Sequence, residues 1–286
     1  MNTQFWLIQA FNGISYGALL FLVGSGLSLI FGVMRIVNLS HGSYFLLGGY
    51  VALSVIWTTG SWALALPVAA LSIAVVGLLM ERIFLRPLGF DPLRQVLLTV
   101  GFAFLVQQAA LDIWTGNNFD ITPPEALTKT VVVGGLYLPL YRIFMIATAA
   151  AIGIVLWLVM EKTRMGAAVR ATVDDAQMAR GVGIDTSRIS MFIFALGALL
   201  AALGGVIGGA FLGIYPGLDF EMLPIAFAVV IIGGMGSLGG AAIGALLVGL
   251  ADNFGKALFP EVSYFTLYAP MALILAVKPT GLFGRE

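Results

Sequence analysis

Cysteine is absent from this chain, histidine occurs once (His41), and charge is sparse, with 14 Lys plus Arg and 14 Asp plus Glu among 286 residues. The missing thiols exclude disulfides, zinc–thiolate sites and cysteine nucleophiles. One histidine excludes a multi-histidine metal cluster. A net charge of zero gives nucleic acid no basis for attraction. Only 10% of residues are charged, against about 25% in a soluble domain, so the chain cannot clothe a water-facing surface and must take the lipid bilayer as its main solvent. The first residues, Met1-Asn2-Thr3-Gln4, carry no positive side chain, so the first apolar run reads as a retained span rather than a signal peptide.

What fills the chain instead is apolar: 60% of residues are hydrophobic and the mean hydropathy is +1.04. Glycine is abundant, at 36 residues, close to twice the usual ~7%. These glycines sit inside apolar runs, where they let helices touch or break. No charge occurs before Arg35. As one helix that stretch would exceed the ~30 Å hydrocarbon core. Further apolar blocks lie at about 43–57, 62–80, 96–114, 143–160, 189–214, 222–251 and 262–277. The expected fold is all-α, a polytopic transmembrane helical bundle of about eight hydrophobic blocks, with eight or nine crossings and interrupted, glycine-rich helices. The whole chain, 1–286, reads as a single transmembrane domain.

The basic residues suggest an orientation. With 80–95, 161–188 and the tail (Lys278, Arg285) on the cytoplasmic side, eleven of the fourteen Lys and Arg lie inside. That arrangement requires the N-terminus to face out and the 222–251 block to cross twice, as two arms joined at Gly233–Gly240. Taken as one long interrupted helix with a single crossing, the block gives ten inside to four outside, and charge leaves both open. The segment 115–142 is then the long external stretch, and its Val131–Leu136 part is suited to a small hairpin or to a dip back toward the bilayer. Glu81, Arg82, Asp112, Asp252 and Lys256 read as interfacial charges at span ends.

Two groups of residues stand out. In 161–188, Thr172 followed by Asp175 resembles a capping box. Asp174 and Asp175 would lie in a first helical turn, Arg180 in the last, and Gly181 just beyond. The expectation is a short cytoplasmic helix, with Ala176 and Ala179 as a small face for docking. The other group comprises Asn38, Ser40 and His41 together with Gly234, Gly236 and Gly239, as candidates for a solute path through interrupted helices. Gly234–Gly239 spells G-x-G-x-x-G, but no βαβ unit surrounds it and a dinucleotide site is not expected. Gly255-Lys256 is not a P-loop, since Leu250 and Ala257 stand where Gly and Ser or Thr belong.

The loop Gly166…Arg170-Ala171…Ala179…Gly183-Ile184 resembles the cytoplasmic loop of permeases in branched-chain amino acid ABC importers. Gly26–Val33, Asn38–Gly42, Arg86-Pro87-Leu88, Thr99-Val100-Gly101 and Gly233–Gly240 extend the resemblance across most of the chain, and the short length is similar to the LivH type. Gly89-Phe90 and Ser40 depart from the common pattern. The resemblance implies a bacterial inner-membrane importer subunit that is not itself an enzyme. It implies as partners a second, homologous permease, two ATP-binding subunits and a periplasmic solute-binding protein. No cofactor is expected on the chain, ATP being bound by the partner subunits. It further implies that Gly166, Arg170, Ala171, Asp174, Asp175, Ala179, Arg180 and Gly183 belong to an ATPase-coupling loop. A self-sufficient secondary transporter or channel stays open at this point.

Overall fold

The structure is a computed structural model describing residues 3–89 and 91–284. Met1, Asn2, Phe90, Arg285 and Glu286 lie outside the described residues. Eleven α-helices account for most of it: α1 (Thr3–Met34), α2 (His41–Thr59), α3 (Trp62–Leu79), α4 (Pro92–Trp114), α5 (Leu140–Lys162), α6 (Arg164–Asp174), α7 (Ala176–Gly181), α8 (Thr186–Leu212), α9 (Leu218–Gly233), α10 (Leu238–Leu258) and α11 (Ser263–Val277). The exposed segment between α4 and α5 carries one hairpin, β1 (Thr130–Val133) and β2 (Leu136–Pro139). Its turn is Gly134-Gly135 with φ of 58° and 82°, the left-handed pair that a tight two-residue hairpin demands.

Six helices among the described residues are long and apolar enough to cross a membrane: α1, α3 with its continuation to Leu88, α4, α5, α8 and α10. This corrects the expected eight or nine crossings. The apolar blocks do not all become full-length helices. α9 and α11 have 16 and 15 residues, roughly 24 Å and 22 Å at 1.5 Å per residue, short of the ~30 Å core. α2 has 19 residues, but His41, Ser43, Tyr44 and three glycines dilute its apolar character.

The buried centre is α1 against α8. Both helices are hydrophobic on nearly every side, and most of their middle residues are buried. In lipid no hydrophobic force draws two such helices together, so close packing must hold them. Gly26 of α1 faces Gly197 of α8 backbone to backbone; a Cβ on Gly26 would lie 2.6 Å from the Gly197 carbonyl oxygen. The opposite extreme is α4 and α5, whose large side chains (Leu97, Phe104, Leu105, Ile154, Val155, Trp157) stay exposed on the outside of the bundle.

Charges sit where helices end. Glu81, buried at the end of α3, pairs with Arg86 at 3.1 Å, and Arg86 also donates to the Ser187 carbonyl at the start of α8. This ties the two helices at one end of the bundle. Towards the end of α10, Asp252 and Lys256 pair at 2.7 Å one turn apart.

Two helices begin inside the bundle. α1 stops at Met34, and Arg35 takes a left-handed φ of 53° that turns the chain back. Residues 35–38 have no regular structure and alternate exposed, buried, exposed, buried, as an extended segment does. α2 then starts at His41, whose Nε2 lies 3.0 Å from the Val23 carbonyl oxygen. Val23 is eleven residues before Met34, roughly 16 Å back along α1. α9 likewise starts after the non-helical segment 213–217, with its first turn against Gly42 and Ser43.

A Gly26→Ala substitution should therefore lower stability by about 1–3 kcal/mol, since backbone on backbone cannot make room. Gly101→Ala, with no heavy atom near its Cβ position, should stay within about 0.5 kcal/mol. Thermal melting of the detergent-solubilised proteins measures both.

Candidate functional site

The candidate residues fall into two places rather than one. The first is a buried polar knot where α2 and α9 begin. Asn38, Ser40, His41 and Ser43 are all fully buried. Ser40 Oγ donates to Asn38 Oδ1 at 2.7 Å and its backbone N–H donates to the same oxygen at 3.1 Å. Tyr44 OH lies 3.3 Å from Ser40 Oγ. The Leu39 N–H donates to Thr99 Oγ1 of α4 at 3.3 Å. These bonds replace the ladder that a continuous helix would have supplied.

Across the knot, Ser43 Oγ donates to Asp219 Oδ2 at 3.2 Å. Asp219 is 2% exposed and stands in the first turn of α9, where the helix dipole favours a negative charge. Gly42 touches the Asp219 backbone, a Cβ there lying only 3.0 Å from its carbonyl carbon. Two helix N-termini thus face each other inside the protein, with a carboxylate between them. Four polar atoms of this region have no partner within the protein: Asn38 Nδ2, His41 Nδ1, Tyr50 OH and Asp219 Oδ1. Each such group costs about 1–3 kcal/mol. Against a total stability of about 5–15 kcal/mol, that expense points to use rather than packing.

Asp219, Ser43 and Tyr50 were not picked out by the sequence, and Thr99 stood out only as part of the Thr99-Val100-Gly101 motif, with no site role. Asp219 and Glu221 look like charges at the edge of an apolar block, which is where interfacial acids belong. The signal that distinguishes them is Tyr215-Pro216-Gly217, a break in the middle of the apolar region 189–251.

The second place is the end of the bundle where α1 finishes. α9 ends at Gly233 and α10 starts at Leu238, with Ser237 Oγ accepting from the Gly240 N–H at 3.0 Å. The 222–251 block is therefore two arms joined by a glycine turn. Gly234 and Gly236 have φ of 100° and 79°. Gly236 also lies against Gly32 of α1, so that a Cβ on it would meet the Gly32 Cα at 3.0 Å. Gly239 faces open space. Gly236 and Gly239 line a cleft of about 790 Å³ together with Arg35, Glu161, Arg170 and Asp174, while Gly234 packs against the backbone of Phe283 and Gly284. The sequence had grouped the glycines with Asn38, Ser40 and His41; the fold puts Gly236 and Gly239 beside the 161–188 segment.

That segment is two helices at an angle. The Thr163 side chain caps α6 by accepting from the Gly166 N–H at 3.1 Å, and buried Gly166 lets the chain fold back on Met160. Arg170 donates to the Met160 carbonyl and pairs with Glu161 at 3.6 Å, holding α6 to the end of α5. The Ala171 carbonyl accepts from the Asp175 N–H at 3.0 Å and closes α6. The expected helix start at Thr172 is corrected to Asp175. Its carboxylate accepts from the N–H groups of Gln177 and Met178 at 2.8 and 2.9 Å, and those bonds hold its pKa below the usual carboxylate range. Thr172 instead bonds its hydroxyl to Ala168 within α6. α7 runs only from Ala176 to Gly181, with Arg180 Nε donating to the Ala176 carbonyl at 3.1 Å. Gly183, at φ 89°, makes the left-handed turn that releases the chain towards α8.

Ala179 is 3% exposed and faces the chain's own helices, while Met178 and Val182 are 66% and 71% exposed. Four residues apart, these two share one face. The small-residue face expected for docking points inward, and an apolar pair points out.

A family model described as the permease component of the branched-chain amino acid transport system matches residues 9–275. The high-affinity branched-chain amino acid transport system permease protein LivH of Escherichia coli (strain K12) is 31% identical over 306 residues, covering 100% of this chain and 98% of the relative. The corresponding permease protein BraD of Pseudomonas aeruginosa is 28% identical over 297 residues, with 98% and 96% covered. The permease protein LivM of Escherichia coli (strain K12) is 27% identical over 293 residues, covering 91% of this chain and 67% of the relative. No solved structure matches the chain.

Two outcomes follow from the geometry. Gly236→Leu puts a side chain at positive φ against Gly32, and should cut membrane yield or transport at least severalfold; uptake and expression at wild-type levels would remove the close approach. Asp175→Ala should speed hydrogen exchange at Gln177 and Met178, whereas Asp175→Asn keeps an acceptor and most of the protection. Because the Asp175 pKa is lowered on folding, its contribution is full above the unfolded value of about 3.9 and is lost as pH falls through the folded value. Protection of α7 should weaken only at such acid pH.

Proposed function

The chain belongs to the branched-chain amino acid permease family as the membrane subunit of an ABC-type importer, a multi-pass inner-membrane protein, and we propose how its two polar sites divide the work. The knot at the start of α2 and α9, with Asn38, Ser40 and His41, lines the solute path. Residues 161–188 face the cytoplasm and couple the chain to an ATP-binding subunit. The assembly has a second, homologous permease, two ATP-binding subunits that hydrolyse the ATP, and an external solute-binding protein. Branched-chain amino acids are the solutes.

The observation that carries the coupling role is the placement of Met178 and Val182. A short helix that exposes two apolar side chains to water while burying its alanine is built to be covered. The arm beneath it is stiff: α6 is fastened to α5 through Arg170, and α7 is capped by Asp175. A push on α7 reaches the cleft where Arg170 and Asp174 lie near Gly236 and Gly239. α7 packs on α8, and α6 on α5, α1 and α8, while the glycine turn joining α9 to α10 lies across the cleft and takes up the push there. α9 then carries the motion along its length to the knot at its other end.

Replacing both Met178 and Val182 by aspartate should abolish solute uptake and co-purification of the ATP-binding subunits, with the permease still expressed and thermally stable. Ala179→Trp, by contrast, should disturb the loop itself, because Ala179 has no room. Retained uptake and retained co-purification in the Met178/Val182 variant would contradict the coupling role. Since the chain has no cysteine of its own, a cysteine at position 175 reports its side directly. It should be labelled by an impermeant thiol reagent in inside-out vesicles but not in intact cells.

A further inference from the structure

We infer that Asp219 receives the ammonium group of the α-amino acid solute, and that the donor Asn38 Nδ2 across the knot receives its carboxylate. This inference rests on the solute-path role of the knot. Four observations lead to it. First, Asp219 is buried to 2% exposure in a bundle otherwise poor in charge. Ser43 donates to its Oδ2 at 3.2 Å, and the backbone N–H groups of Phe220, Asp219 and Gly217 lie near the carboxylate and favour its charged form. The other oxygen, Oδ1, is buried and without a hydrogen-bond partner in the protein. An ionised carboxylate only accepts hydrogen bonds, so what completes Oδ1 must be a donor, and a cation serves best.

Second, Asn38 fixes its own Oδ1 on the Ser40 hydroxyl and N–H, which leaves Nδ2 buried, unpartnered and restricted to donating. A donor without an acceptor suits a carboxylate. An unsatisfied acceptor and an unsatisfied donor, one on each side of the same knot, are the complement of a zwitterionic amino-acid head.

Third, the two helices that bring these groups together both begin here. α2 and α9 have 19 and 16 residues, long enough for their N-terminal ends to carry appreciable partial positive charge. That charge lets the protein hold the Asp219 carboxylate in a buried position and still leave one oxygen for a ligand. Interrupted helices placing polar ends at a solute is a recurrent solution in transporters.

Fourth, the contact that closes the knot at the two helix starts is made by few groups. Gly42 against the Asp219 backbone and the single Ser43–Asp219 hydrogen bond join α2 to the start of α9. Parting those two helix ends exposes Asp219 Oδ1, and α9 is the helix that ends at the glycine turn beside the coupling segment. The solute would therefore meet Asp219 only while the contact is open, and the contact reforms when it has passed.

The test uses the complete importer in proteoliposomes, with its binding protein and ATP. Asp219→Asn keeps an acceptor for Ser43 and the side-chain shape but removes the charge. Leucine uptake should fall about tenfold to a hundredfold, with melting temperature and co-purification of the ATP-binding subunits unchanged, and Asp219→Glu should recover part of it. Ser43→Ala breaks only the Ser43–Asp219 bond, so it should lose far less uptake than Asp219→Asn. A second readout uses Ser40→Cys labelled with a thiol reagent during turnover. Leucine and 3-methylbutylamine should protect the cysteine, 4-methylpentanoate should not, and the amine's protection should vanish with Asp219→Asn. If Ser40→Cys is never labelled, the solute-path role of the knot fails and takes this inference with it. If it is labelled and protected by leucine, yet the acid protects as well as the amine or Asp219→Asn transports normally, the ammonium role alone is overturned. Should Asp219→Asn fail to assemble, the amine-against-acid comparison in the Ser40→Cys protein decides the matter.

Discussion

A backbone N–H or C=O inside lipid has no water to turn to, so every break in a helix must be satisfied by the protein itself. This chain starts two helices inside the bundle and satisfies each break within the protein. Before α2, Thr99 and Asn38 accept from the N–H groups of Leu39 and Ser40; before α9, Ile214 exchanges both backbone bonds with Phe119. The two starts meet at one polar spot, where Ser43 donates to Asp219. The rest of the structure follows from keeping that spot closed to lipid. α1 and α8, packed through Gly26 and Gly197, form the wall behind it, and the large apolar residues of α4 and α5 take the outside. The high glycine content is the consequence, because only closely packed helices seal a polar centre in a solvent as apolar as their own side chains.

The same architecture connects two sites that lie at different depths. α9 runs from the polar knot to the glycine turn, and that turn borders the cleft of Arg35, Glu161, Arg170 and Asp174. A stiff helix between them is a simple mechanical link, and positive-φ glycines at one end are where such a link can pivot. Arg170 matters on this view as a strut. It ties the two-helix arm to the end of α5, so that motion of α7 reaches the cleft instead of being lost in a slack loop.

Much of this was legible in the sequence, for reasons that differ between elements. Low charge and long apolar blocks announce a membrane bundle because they follow from solvent alone. The stretch at 233–240 was legible only as a helix break or a close-packing site, since glycine inside an apolar run serves both, and Val131–Leu136 only as a hairpin or a dip toward the bilayer. The crossing number was not, since block lengths do not reveal that α2 starts about 16 Å inside the bundle or that α9 stops short. Two neighbouring acids misled the search for the α7 start: Thr172 with Asp175 fits a capping pattern, yet the strongest local acceptor, Asp175 itself, wins the exposed N–H groups of Gln177 and Met178. The inward turn of Ala179 and the burial of Asp219 are tertiary facts. Each depends on which neighbour covers the residue, and neither leaves a local signature.

The claim that everything else rests on is that the start of α2 meets the start of α9 within the bundle. Paired cysteines test it directly in a chain that has none of its own. Cysteines at positions 43 and 219 should form a disulfide under mild oxidation in native membranes, read as two halves held together after cleavage at a protease site placed in the exposed segment 125–129. Cysteines at 59 and 219, separated by the full length of α2, should not. Efficient joining of 59 to 219 with none between 43 and 219 would contradict the account.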